Sequence, residues 1–409
     1  MTKLVSTARG ALGSLLLGTV ACMALAAGFS WSAPAAAAQQ VSKEFFEKFK
    51  PAQDALQKRD YATALRAAKE AAAAAKNNDE KEYALKVQLS AAFGVQNWAD
   101  ATSAAEQLIG LPGPSAAEKN NYRRMMGQIA EQQRQYDRAI QYTQEAMKGG
   151  ATARDHELLF RVYAIRGDCN NALANLDKAL GGKPANETQL KARNSCLFKQ
   201  NNTTARVATV EELLRRFPKK AYFTDYIGIL QELKTDERAM LNVYRWGFEK
   251  DLIEREADFL AFADAALNAG SSAEANRALQ RGVKAGVIKT TDPNSRTSRM
   301  VASTAKIASD DKAKLPQLDK EARAGKNGEA DVNVGMAFFG NGENAKAVEA
   351  LQRAFQPDRS NRLKRPDDAN MLLGIVLLET GKKAEAAKAF NAAKADPRMA
   401  KAAALWLGA

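Results

Sequence analysis

The sequence predicts an all-α fold, a solenoid of stacked antiparallel helix pairs, and three observations carry that prediction. First, a turn-forming polar patch followed by a register residue returns every 32 to 40 residues, at Tyr61, Trp98, Tyr136, Cys169, Thr204, Glu237, Ser272, Lys312, Asn344 and Lys383. Second, a small or apolar residue stands three positions after each: Ala64, Ala101, Ala139, Ala172, Val207, Met240, Ala275, Leu315, Ala347 and Ala386. A period in this range marks helical units that bury their apolar faces only against their neighbours. Third, aromatic residues make up only 7% of the 409 residues and alanine is abundant, which favours close-packed helices over a sheet sandwich.

The N-terminus reads as an export signal. Lys3 and Arg9 give a positive start, residues 11–28 are apolar, and the small residues 35–38 precede Gln39. This pattern sets a signal peptide over residues 1–38, with cleavage after Ala38, and a repeat array over residues 39–409. The alternative is an uncleaved membrane anchor. Cys22 follows Thr19-Val20-Ala21 but lies inside the apolar run, which does not suit a lipid-attachment site. No later stretch is long and apolar enough to span a bilayer. An exported chain of this kind is expected in the periplasm.

The chain carries 60 basic and 47 acidic side chains, a net charge of +13. Removing residues 1–38 takes away Lys3 and Arg9 and no acid, leaving 58 basic side chains and a net charge of +11. On an exported protein this excess favours acidic protein partners or anionic envelope surfaces, not nucleic acid. The dense basic groups, Arg215 to Lys220 and Arg359 to Arg365, fall at helix ends or loops and read as solvated charge.

Along the array, the first helix begins near Ser42, and Pro51 predicts a kink or a new start. Gly149-Gly150 and Gly181-Gly182 separate helices, and two longer polar connections run from Lys289 to Arg299 and from Pro357 to Asn370. The second connection, rich in Arg and Lys, is expected to be a mobile loop. The last unit is the clearest. Leu373, Gly374 and Leu377 share one helix face, Gly381 ends that helix, and Ala386, Phe390 and Ala393 form the face of the next until Pro397 stops it.

That unit resembles a tetratricopeptide repeat, whose pattern has small residues at three fixed positions, a turn glycine and a closing proline. Gly335, Phe338, Gly342, Ala347, Leu351 and Ala354 fit the pattern one unit earlier. Tyr163, Gly167, Ala172, Leu176 and Ala179 fit it in another, and Met126, Gly127, Tyr136, Ala139 and Ala146 in a third. The units near 204 and 237 are degenerate. Two units share a second signature, Gly247 to Ile253 and Gly282 to Ile288, 35 residues apart. The resemblance implies a right-handed superhelical array of about ten pairs over nearly the whole mature chain.

A narrower resemblance is to a group of exported bacterial tetratricopeptide proteins, some of which accompany TonB–ExbB energy transduction. It rests on the spacing of Cys169 and Cys196, on Arg216-Phe-Pro-Lys-Lys-Ala-Tyr222 and on Asp367 to Gly374; Phe223 stands where that group has Trp. Cys169 and Cys196 are the two cysteines of the mature chain. They lie on helices of successive units and suit one disulfide in an oxidising compartment, with two small buried thiols as the alternative.

Little in the sequence points to catalysis. His156 is the one histidine, which removes any multi-histidine metal site, and its place between Asp155 and Glu157 at a helix start suits a solvated cap. No Walker A loop, H-E-x-x-H, C-x-x-C or G-x-S-x-G occurs. Asp310-Asp311 and Asp367-Asp368 read as pairs standing before helices and offsetting their dipoles. No enzyme activity, cofactor or metal is implied. The functional expectation is a periplasmic scaffold or adaptor binding a protein partner. The alternative is an anchored structural protein touching peptidoglycan or anionic lipid.

In tetratricopeptide arrays the first helix of each pair lines the binding groove. Carried onto this chain, the groove positions are Asn121, Arg124 and Gln128, then Arg154 and Arg161, a set suited to an acidic peptide. Toward the C-terminus they are Val332, Met336 and Phe339, then Met371 and Ile375, a set suited to an apolar helix. For each residue the plain reading remains open: solvated charge for the polar set, packing between repeats for the apolar one.

Overall fold

The computed structural model describes residues 41–408, so the leader expected over residues 1–38 lies outside the described residues. The described chain contains α-helices and one short 3-10 turn, and forms two compact units that divide between Pro184 and Ala185.

Unit 1 holds four helix pairs: α1 (Lys43–Gln57) with α2 (Tyr61–Ala74), α3 (Asn78–Gly94) with α4 (Trp98–Gly110), α5 (Ala116–Gln132) with α6 (Tyr136–Met147), and α7 (Ala153–Arg166) with α8 (Cys169–Leu180). Unit 2 opens with three more: α9 (Glu187–Lys199) with α10 (Thr203–Arg216), α11 (Lys220–Glu232) with α12 (Glu237–Glu249), and α13 (Glu256–Asn268) with α14 (Ser272–Lys284). A single long helix, α15 (Arg296–Ala324), interrupts the pairing. The pairs α16 (Gly328–Gly340) with α17 (Asn344–Ala354), and α18 (Pro366–Glu379) with α19 (Lys383–Lys394), follow, and α20 (Ala400–Leu407) closes the described chain.

One turn is used in all nine pairs. The residue just past the first helix is left-handed: Arg59, Gln96, Arg134, Gly167, Asn201, Lys234, Gly270, Gly342 or Gly381. The next amide donates back to a carbonyl in the last turn of that helix, as in Asp60 to Ala55 (2.9 Å), Asn97 to Ala92 (2.8 Å) and Lys382 to Leu377 (2.9 Å). This bond satisfies carbonyls that the helix end leaves open. In several pairs the donating residue is also the N-cap of the second helix: the side chains of Asp60, Asn97, Asp168 and Asn202 accept from the amides of Thr63, Asp100, Asn171 and Ala205. The second helix therefore starts almost as soon as the first ends. Four of the nine left-handed residues are glycine, which is why a glycine signal marks only some of the turns.

The signature shared by residues 247–253 and 282–288 is the matching turn at the other end of a pair. Asp251 and Gly286 are left-handed, and the amides of Leu252 and Val287 donate to the carbonyls of Gly247 (2.8 Å) and Gly282 (3.0 Å). Leu252, Ile253 and Ile288 are buried beneath it.

Glycine also marks where paired helices touch. A Cβ on Gly127 would meet Thr143 Oγ1 at 2.6 Å, on Gly335 Leu351 Cγ at 2.7 Å, and on Gly374 Phe390 Cε1 at 2.5 Å. The partner stands sixteen residues on in all three, so the same crossing recurs. The small residues expected after each register position, Ala64, Ala101, Ala139, Ala172, Ala275, Ala347 and Ala386, are buried; Met240 is half-buried, with Ala239 taking the buried place beside it.

Four expectations need correction. Lys312 starts no second helix: it lies inside α15, which runs through Pro316, so one long helix stands where a pair was expected. Asp310 and Asp311 therefore stand in mid-helix. Asp310 pairs with Lys306 at 2.8 Å, and Asp311 accepts from Ser272 Oγ at 2.6 Å. Helix α1 runs from Lys43 to Gln57 with Pro51 inside it, so no new start stands there. The basic connection from Pro357 to Asn370 is held down by its own arginines. Arg359 is buried, donating to Asp331 Oδ2 (2.8 Å) and to the carbonyls of Ala322 (3.0 Å) and Arg323 (3.1 Å). Arg365 binds Asp367 (2.7 Å) and Asp236 (3.1 Å).

Candidate functional site

The expected groove residues of unit 1 divide into two groups. Arg124, on α5, donates through Nε to both oxygens of buried Asp155 (2.9 and 3.2 Å), through Nη1 to Asn121 Oδ1 (3.0 Å) and through Nη2 to the Gly150 carbonyl (2.8 Å). Asp155 is itself the reciprocal partner of the Thr152 cap of α7. Arg124 thus fastens α5 to the start of α7. Arg161, on α7, grips Glu131 on α5 with two bonds of 2.8 and 2.7 Å, a fork on a carboxylate that fixes orientation as well as charge. Both arginines are neutralised between repeats. Gln128 on α5 and Arg154 in the first turn of α7 remain exposed and make no side-chain hydrogen bond among the described residues.

In unit 2 the apolar groove positions are core. Met336, Phe339, Met371 and Ile375 are between 0% and 5% exposed, and Val332 is half-buried. They do not form an open apolar groove, because unit 2 packs on itself there. Arg245 on α12 and Arg277 on α14 lay their guanidinium groups over the Phe339 ring, 5.7 and 5.2 Å from its centre. Asn242 on α12 donates to Asp368 Oδ1 on α18 at 3.1 Å, and Trp406 on α20 donates to the Asn242 carbonyl at 2.9 Å.

The same face buries an ion pair. Arg245 and Glu274, 3% and 1% exposed, meet through two bonds of 2.7 and 2.8 Å, while Arg245 Nη1 reaches Asn242 Oδ1 at 2.9 Å. Around it, desolvation pushes the Asp368 and Glu379 carboxyls above the usual carboxylate range; Glu249 adds like charge at Glu379, and Arg245 and Arg238 oppose the shift at Asp368. Sequence reasoning missed this cluster. Its signal was present: Asn242 and Arg245 share the face of α12 that also carries Leu241 and Phe248, where helical spacing calls for apolar residues.

The expected bridge between Cys169 and Cys196 is not formed. Both are buried thiols, Cys169 at the start of α8 in unit 1 and Cys196 in α9 of unit 2. His156 sits in the first turn of α7 with Nδ1 2.8 Å from Asn175 Oδ1, held as part of the α7–α8 contact. Among the described residues no group of three or more His, Cys, Asp or Glu side chains could hold a metal ion, and no helix is long and apolar enough to cross a membrane.

Residues 332–400, which run from within α16 through α19 to the start of α20, match the family model for the tetratricopeptide repeat. No curated protein matches the chain. Solved structures resemble it at low identity. One is the Naa15/Naa10 complex bound to HypK-THB, at 13% identity and a TM-score of 0.38, covering 86% of this chain, which itself spans 63% of that one. Another is the C-terminal part of a TPR repeat-containing protein from Cytophaga hutchinsonii, at 14% identity and 0.34, covering 77% and 99%. A third is a tetratricopeptide repeat protein from Parabacteroides merdae, at 13% identity and 0.21, covering 90% and 100%.

Proposed function

We propose, from the match of residues 332–400 to the tetratricopeptide repeat, that the chain is a scaffold for protein–protein contacts whose recognition surface lies on the first helices of unit 1. The observation that carries this reading is the contrast between groove positions. Arg124 and Arg161 are spent on holding repeats together, whereas Gln128 and Arg154 present unspent polar groups on the same helices. Donors on a helix face, in a chain of net charge +13, suit an acidic or carboxylate-bearing peptide. A photo-crosslinking residue placed in cells at position 128 or 154 is expected to capture the same protein, with none captured from exposed Glu385 in unit 2. Capture from position 385 alone would contradict the assignment.

The finer reading is an exported adaptor in the cell envelope, of the kind that accompanies TonB–ExbB systems. The leader-like residues 1–38 and the stretches 216–222 and 367–374 support it. The mass of the native N-terminus tests export: a start at Gln39 is expected, and an intact Met1 would instead support the anchored structural reading.

A further inference from the structure

Unit 2 contains a cavity of about 480 Å³ that none of the groove positions discussed above lines. It lies between the start of α14, the second half of α15 and one side of α16, where α15 stands alone in place of a helix pair. Ligand sites commonly occupy ~300–1,000 Å³. The floor is apolar: Leu315, Ala322 and Val334 are buried, and Leu318 stands at the mouth, 45% exposed.

The charge of the lining is the informative feature. The chain has 60 lysines and arginines, yet none lines the cavity, which carries the carboxylates of Asp311 and Glu321 with amides and a hydroxyl. Asp311 accepts from the Ser272 hydroxyl at 2.6 Å and Glu321 from the Gln317 amide at 2.7 Å, both neutral donors, so neither carboxylate is paired with a cation by these bonds. The two stand ten residues apart on α15, about 15 Å along the axis at ~1.5 Å per residue. An extended peptide covers that length in about four to five residues.

We propose that this cavity binds an extended peptide segment with two basic side chains about four residues apart and an aliphatic one between them. The basic groups reach Asp311 and Glu321, and the aliphatic side chain sits on Leu315, Leu318 and Val334. The positive field of the whole chain opposes such a ligand, so its binding depends on the local carboxylates and the apolar floor. The site is separate from the surface assigned to unit 1 and accepts the opposite charge, so either assignment can fail without the other.

The test is fluorescence anisotropy on the full chain with fluorescein-Lys-Ala-Leu-Ala-Lys-amide. Saturable binding below about 1 mM is expected. Glu321→Lys and Leu318→Ser, both at exposed positions that leave the core intact, are expected to weaken it at least tenfold. Glu385→Lys, the same charge change on α19, leaves it unchanged. Absence of saturation by about 1 mM, equal loss from Glu385→Lys and Glu321→Lys, or unaltered binding in Leu318→Ser would each overturn the proposal.

Discussion

Trp406 donates its indole N–H to the backbone carbonyl of Asn242 at 2.9 Å, joining points 164 residues apart in the chain. The bond belongs to a set. Trp406 stacks on Phe390 with ring centres 5.9 Å apart, Asn242 reaches Asp368, and Arg365 reaches Asp236. Together they fold the end of unit 2 back onto α12. The groove positions Met336 and Phe339 of α16 and Met371 and Ile375 of α18 are therefore covered by the chain itself.

The Phe390 ring is fixed on one side by Trp406 and on the other by the bare backbone of Gly374. Gly374→Ala gains up to ~1 kcal/mol of helix propensity. It also places a Cβ 2.5 Å from Phe390 Cε1, and overpacking of this kind costs ~1–3 kcal/mol. The ring cannot move away, so the cost wins and the thermal midpoint falls. Gly228, in mid-α11, has nothing within 4 Å of its added Cβ, and Gly228→Ala is expected to stabilise by ~0.5–1 kcal/mol. Paired thermal melts check both signs.

Asp331 is fully buried between Arg353 (2.6 Å) and Arg359 (2.8 Å). Arg359→Ala removes one of two partners and leaves Asp331 to Arg353 alone, which costs less than the ~3–5 kcal/mol of a buried charge left with no partner. It also leaves the carbonyls of Ala322 and Arg323 without its donors. A urea titration should show the midpoint falling with little change in slope.

Glu379 is exposed at the end of α18, yet its carboxyl is raised above the usual range, first by the desolvating surface packed around it and then by the like charge of Glu249. The native state thus holds the proton more tightly than the unfolded chain, and stability falls as pH rises from the unfolded value through the raised native one. Glu379→Gln keeps an acceptor for Asn344 Nδ2 and removes the charge. The variant is expected to melt higher than the parent at pH 7, with the gap closing as the pH drops toward 4. A constant gap across that range would contradict the assignment.

The second helices were legible in the sequence because the turn before them is built from local bonds. Eight of the ten register residues open a helix, Thr204 is the second residue of α10, and only Lys312 fails. It fails because Asp310-Asp311 looks like a cap, while no glycine between Arg296 and Ala324 interrupts the helix. The candidate site was less legible. Helical spacing identified Met336, Phe339, Met371 and Ile375 as one apolar stripe but could not say what covers it. The cover comes from α12, α14 and α20, through bonds spanning up to 164 residues that no local pattern encodes. The same holds for Arg359 and Arg365, whose partners Asp331 and Asp236 stand 28 and 129 residues away.

The closure of unit 2 on itself is the central claim, because it decides whether the groove positions of α16 and α18 are open or covered. Hydrogen–deuterium exchange of the full chain, with and without Trp406→Ala, tests it most directly. The account predicts that the substitution lowers protection in α12 and α18 together with α20, since all three share the Asn242 junction. A change confined to α20, with α12 and α18 as protected as before, would contradict it.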